Sequence, residues 1–240
     1  MADVLGLPIP DGYEIIFLLT LTIILVKLIL GIYLAVKVNR SKKEENPVAP
    51  VFIGAVMLLM FLWAISRTLF SIFDFFLTKY DTNLYAEYVW WWKCGSLLAA
   101  VGVIAILFII DKKILSNKFK GIFAYIMLAG TVLQFIYPVY AFDPDFIMAS
   151  TIGIIGSATS FLVPILFLYI GKKTPGLRKT AFTFAFGIII YVVGSAFVSA
   201  SIITIFYSAG LDTNQVYFIS TSMKVLGLLM VTYGTTRFRF

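Results

Sequence analysis

Apolar runs long enough to cross a bilayer recur from residue 13 almost to the C-terminus, and nothing else in the sequence constrains the fold as tightly. A hydrocarbon core about 30 Å thick takes roughly 20 helical residues to cross, and its interior offers no water to backbone N–H and C=O groups, so each span must satisfy its own. The runs predict spans over 13–36, 51–77, 88–110, 121–140, 146–170, 181–207 and 216–234. The expectation is an all-α polytopic membrane protein: one domain over 1–240, a seven-transmembrane helix bundle with the N-terminus outside and the C-terminus cytoplasmic. Charged residues make up 13% of the chain, against about 25% in soluble domains, so lipid is the expected main solvent.

Orientation follows from where the bases fall. Lys37, Arg40, Lys42 and Lys43 follow the first run; Lys112, Lys113, Lys118 and Lys120 follow the third; Lys172, Lys173, Arg178 and Lys179 follow the fifth; Arg237 and Arg239 follow the last. In a seven-span alternation these fourteen share one side, which the cytoplasmic bias of Lys and Arg marks as the inside. The opposite segments carry Lys79 alone, beside Asp3, Asp11, Glu14, Asp81, Glu87, Asp143, Asp145 and Asp212. The net charge of +7 therefore reports topology, and no nucleic-acid partner is expected. Acids rather than bases precede the first run, which is too long for a cleavable signal; it is expected to stay as a reverse signal-anchor in a multi-pass cell-membrane protein.

Small residues crowd two spans: Gly153, Gly156, Ser157 and Ser160 in the fifth, and Gly187, Gly194, Ser195, Ser199 and Ala200 in the sixth. They favour close helix packing over a pore lining, because small side chains let backbones approach where lipid supplies no hydrophobic drive. Pro164 should bend the fifth span by freeing a carbonyl one turn earlier. Trp90, Trp91 and Trp92 stand where the third span begins, as an interfacial aromatic belt requires.

Histidine is absent and Cys94 is the single cysteine, so the imidazole and thiolate ligands of most zinc, haem and copper sites are missing and no metal is expected. Paired intramembrane acids are missing too, and the chain is not expected to be an enzyme. Function is then sought at ionisable groups inside the hydrocarbon, each costly unless partnered, hydrated or able to snorkel. Five remain: Lys27, Arg67, Asp74, Lys93 and Lys224. On the predicted spans Arg67, Asp74, Lys93 and Lys224 occupy the outer half and form the expected ligand-binding set. Lys27 lies nearer the middle or inner half and is expected to snorkel or face a separate partner. With all of the outer four ionised, two positive charges are in excess, which points to water or an anionic ligand.

The last span reads Ser222-Met223-Lys224-Val225-Leu226-Gly227-Leu228-Leu229-Met230, and with the seven-span, N-out plan it resembles the retinal-bearing last helix of microbial rhodopsins. That resemblance implies Lys224 as a retinal attachment site. The carboxylate usual in that family one turn earlier is replaced by Ser220, and Tyr88 to Lys93 of the third span supply none. The outline is also similar to seven-helix receptors and to the seven-helix sensory modules of microbial signalling proteins.

The leading expectation is a receptor-like membrane sensor in which an outward pocket around Arg67, Asp74, Lys93 and Lys224 takes a small, anionic ligand and signals to a cytoplasmic partner. A small-solute or anion transporter using the same cations, with Lys27 continuing the path, is the alternative. A retinal photoreceptor using Lys224 is a third reading; otherwise no cofactor is expected.

Overall fold

A computed structural model describes residues 3–4, 7–41, 48–198 and 200–238. The predicted all-α class holds throughout, apart from a two-residue antiparallel pairing of Asp3–Val4 with Leu7–Pro8. Six helical stretches are long and apolar enough to cross a membrane: Glu14–Ser41, Ala49–Leu77, Thr82–Ile114, Pro144–Lys173, Pro175–Ala196 and Thr213–Arg237. A seventh apolar helix, Ile122–Ile136, is shorter. Among the expected cytoplasmic bases, Lys42, Lys43 and Arg239 lie outside the described residues, as does Ser199.

In detail, α1 spans Glu14–Ser41 and α2 Val48–Ser71, the latter running on as a π-helical turn, Ile72–Leu77. Helix α3, Tyr85–Ile109, likewise continues into a π turn, Ile110–Ile114. Then come α4 (Ile122–Ile136), α5 (Ile147–Ser157), α6 (Leu162–Lys173), α7 (Arg178–Ala196), α8 (Ala200–Ser208) and α9 (Thr213–Arg237).

Three spans are cut short or divided for local reasons. The fourth, expected to reach residue 140, ends at Ile136: Tyr137 turns extended (ψ 126°) because Pro138 disfavours helical backbone in the residue before it. The fifth is divided by a 3-10 turn, Ala158–Phe161, which separates α5 from α6 one turn before Pro164, as that proline foretells. The sixth is divided between α7 and α8. Gly194 and Ser195 are poor helix formers, and Ser195 Oγ bonds back to the Tyr191 carbonyl at 2.9 Å, a contact that bends helices.

The helices close into a ring in nearly sequential order. Helix α2 packs between α1 and α3; α3 meets α4, α4 meets α5, α6 meets α7, α7 meets α9, and α9 returns to α1. Glycines set the closest approaches. A methyl group at Gly130 of α4 would lie 2.5 Å from the Gly156 Cα of α5, and one at Gly227 of α9 would lie 2.6 Å from the Gly187 carbonyl of α7. Backbone-to-backbone contact is thus the purpose of Gly156, Gly187 and Gly194, while Gly153, Ser157, Ser160 and Ser195 face a cavity.

The main apolar core fills the end of the ring at which α1 terminates and α2 begins. There Phe52, Phe167, Phe184 and Phe238 cluster with centroids 4.3–5.7 Å apart. At the other end a smaller cluster joins Ile9, Ile16, Phe17 and Phe75, with Tyr13 stacked on Tyr80 at 4.3 Å. Burial pushes the Tyr80 hydroxyl well above its ordinary pKa, reinforced by Asp74 and Tyr217, with Arg67 opposing. Tyr80 therefore stays a neutral phenol, packed on Tyr13 and Phe75. Between these two clusters the ring is hollow.

Candidate functional site

The hollow is built from helix stripes. Buried residues of α1 recur at three- and four-residue spacing through Thr20, Ile23, Ile24, Lys27, Leu30, Gly31 and Leu34, so Lys27 stands on the inward face. On α9, Ser220, Lys224, Gly227 and Val231 share a face in the same way. Arg67 follows Trp63 by one turn on α2.

These faces enclose a cavity of about 540 Å³ lined by residues of α1, α2, α3, α4, α5, α7 and α9, with Ser160 and Val198 from the interruptions that follow α5 and α7. Lys27, Arg67 and Lys224 all line it, and no carboxylate does among the described residues. Hydroxyls surround them: Ser66, Ser96, Ser150, Ser157, Ser160 and Ser195, with Thr131 and Gln134 on the α4 side. Several of these are spent on backbone, such as Ser66 Oγ donating to the Gly95 carbonyl at 2.7 Å.

Each cation is held differently. Lys27 is 3% exposed; its Nζ donates to the Trp63 carbonyl at 3.3 Å and lies 5.6 Å from the Trp63 ring and 5.7 Å from the Tyr191 ring. Those two rings are themselves stacked, 4.7 Å apart, and the Trp63 indole N–H donates to the Ala99 carbonyl at 3.2 Å. Two aromatic faces and one carbonyl partly compensate a buried ammonium but leave its positive charge unbalanced. Arg67 Nη2 donates to Thr20 Oγ1 at 3.2 Å. Lys224 is half-buried one turn after Ser220, whose hydroxyl donates to the Gly194 carbonyl at 2.6 Å and ties α9 to α7. All three cations lie within electrostatic range of one another.

The sequence-predicted set divides. Arg67 and Lys224 meet in the cavity. Asp74 does not line it; it sits half-buried in the π turn ending α2, its carbonyl accepting from the Tyr80 N–H at 3.1 Å. Lys93 does not line it either. It is 5% exposed, its Nζ donates to the Tyr137 carbonyl at 2.6 Å and lies 5.3 Å from the Trp90 ring. That bond receives one of the carbonyls released where α4 ends early. Lys27, set apart in the sequence reading, is the third cation of the cavity. Its signal was present: Thr20, Lys27 and Gly31 are polar or small residues on one face of an otherwise apolar helix.

Of the three tryptophans, Trp90 and Trp91 are exposed as a belt requires, and Trp92 turns inward to line the cavity and pack on Phe146. Beside the cationic chamber lies a second, apolar compartment of about 220 Å³, walled by Leu59, Ile188, Val192 and Leu228 among others. Among the described residues no cluster of three or more Cys, Asp or Glu could hold a metal ion. Compared with protein-family models, curated proteins and solved structures, the chain matches none.

Proposed function

We propose that the chain is a receptor-like seven-span membrane sensor, N-terminus outside, whose intramembrane cavity binds a small anionic ligand. The observation that carries this reading is the convergence of Lys27, Arg67 and Lys224, from three helices, on one cavity without a lining carboxylate. Three basic groups in a low-dielectric ring repel one another when charged, and an anion favours their charged forms while gaining several donors. At 540 Å³ the chamber lies within the roughly 300–1,000 Å³ of ordinary small-molecule sites.

The seven-span count takes α4 as the short member, about 22 Å of helix, extended on its outer side by the apolar segment Tyr137-Pro138-Val139-Tyr140. The alternation of bases supports the N-out orientation. Sensing requires a ligand with different affinities for two bundle states. The 3-10 turn between α5 and α6 and the break between α7 and α8 are the joints at which helix packing can change. The same lining bears on retinal: Lys224 is available in the cavity, but three cations without a lining carboxylate are the wrong surroundings for a protonated Schiff base, which favours the anion.

Binding of monovalent anions to the purified protein in lipid nanodiscs tests the site. Neutralising Arg67 and Lys224 together, as Arg67→Gln and Lys224→Gln, is expected to weaken binding at least tenfold. Binding insensitive to neutralisation of all three cations would sink the reading. Reconstituted protein that binds without moving anions across liposomes supports sensing; saturable flux abolished by Arg67→Ala would make it a transporter instead. A visible absorption band lost on Lys224→Ala would overturn the anion reading in favour of retinal.

A further inference from the structure

The cationic chamber and the apolar compartment share a wall formed by Trp63, Val103, Ser160, Tyr191 and Ser195. One offers three positive charges and hydroxyls; the other offers almost only hydrocarbon. A small hydrophilic anion would use the first and leave the second empty. The two together fit a molecule with an anionic end and an apolar end.

One exposed lining residue of each cavity points the same way. Ile154 lines the cationic chamber yet is 69% exposed, and Phe161 lines the apolar compartment yet is 55% exposed. Both belong to the stretch Pro144–Lys173, well inside its ends. Among the described residues α5 packs along α4 and makes no extended packing with α7 or α8. At the depth of residues 154 and 161 the surrounding medium of a membrane protein is acyl chain rather than water.

We infer that the ligand is a single-chain anionic amphipath that reaches the cavity sideways from the bilayer, its head among Lys27, Arg67 and Lys224 and its chain in the apolar compartment. This rests on the anionic-ligand reading and names the class of anion. Carboxylate and phosphate heads share the required chemistry.

The test is a binding series on the nanodisc-embedded protein, with affinities referred to free aqueous concentration: acetate, hexanoate, octanoate and decanoate, decyl phosphate, inorganic phosphate, and decanol and decylamine as chain-matched controls. Affinity is expected to rise about tenfold for every two methylenes, as burial of hydrocarbon dictates. Decanol and decylamine are expected to bind at least tenfold more weakly than decanoate. Whether decanoate or decyl phosphate binds more tightly identifies the head. Val192→Phe, which fills the apolar compartment without touching the cations, is expected to flatten the series beyond hexanoate. If that variant does not fold, the chain-length series on the unaltered protein decides alone. Acetate or inorganic phosphate binding as tightly as decanoate, and lost on Arg67→Gln, would overturn the amphipath while leaving an anion site. Decanol or decylamine matching decanoate, or no probe binding, would overturn both.

Discussion

Trp63 and Tyr191 stack face to face, 4.7 Å apart and 13° from parallel, and both rings lie within 6 Å of the Lys27 ammonium. The pair stands in the wall common to both cavities, so the most deeply buried cation of the chamber and the boundary between the two compartments meet at one place. Replacing Lys27 by Met keeps the stem and removes the charge. Relief of cation repulsion should make Lys27→Met melt higher than the parent by about 1 kcal/mol equivalent, while anion binding falls about tenfold. A thermal shift assay beside the binding titration separates the two effects; a variant that is less stable and binds normally would remove Lys27 from the site.

Lys93 should behave in the opposite way. Its ammonium bonds a helix-end carbonyl at 2.6 Å and lines neither cavity. Lys93→Ala is expected to destabilise the protein by about 1.5–3 kcal/mol, the range for hydrogen bonds to charged groups, and to change anion affinity less than twofold. Measured loss of binding with unchanged stability would return Lys93 to the ligand.

This contrast shows what a single sequence makes legible. The apolar class and the disruption ahead of Pro164 are local properties, and each was readable. Arg67 and Lys224 were recognisable as costly charges, but whether two charges on different helices face one another depends on rotation about each helix axis. That is fixed by partners such as Gly187 with Gly227, which lie forty residues apart in the chain. Lys27 was misplaced for this reason: its depth suggested a separate partner, whereas its position on the Thr20–Gly31 stripe of α1 turns it inward. Lys93 looked available because the early end of α4, which supplies the Tyr137 carbonyl, was not foreseen.

Asp111 escaped notice among the bases that follow the third span. It is buried, with Oδ1 accepting from the Phe119 N–H at 2.9 Å and Oδ2 from the Gly121 N–H at 2.6 Å, and so it shapes the α3–α4 turn. Asp111→Asn keeps the volume but turns one acceptor into a donor facing a donor. A loss of about 1.5–3 kcal/mol is expected, without effect on anion affinity, checked by denaturation in detergent.

The α7–α9 contact should tolerate no added bulk. Gly227→Ala would bring a methyl group to 2.6 Å from the Gly187 carbonyl, forcing the helices apart at a cost of about 1–3 kcal/mol. Gly54, where nothing lies within 4 Å of an added methyl, is the matched control and should accept alanine without loss. Equal stability of the two variants would contradict the packing described.

Orientation is open to direct labelling, because Cys94 can be removed to give a cysteine-free parent. Tyr140→Cys, at the 85% exposed loop after α4, should react with a membrane-impermeant maleimide added to intact cells. Lys118→Cys should react only after the cells are opened. The reverse pattern would invert the topology.

The backbone contact between Gly130 and Gly156 brings α4 and α5 together with no side chain between them. As a pair they are bounded by α3 on one edge and attached to α6 through the short 3-10 turn. On the proposed reading, a guest that pushes on this pair from the cavity would shift both helices, and the shift would reach the far end of α4, in the lysine-bearing turn that Asp111 holds in shape.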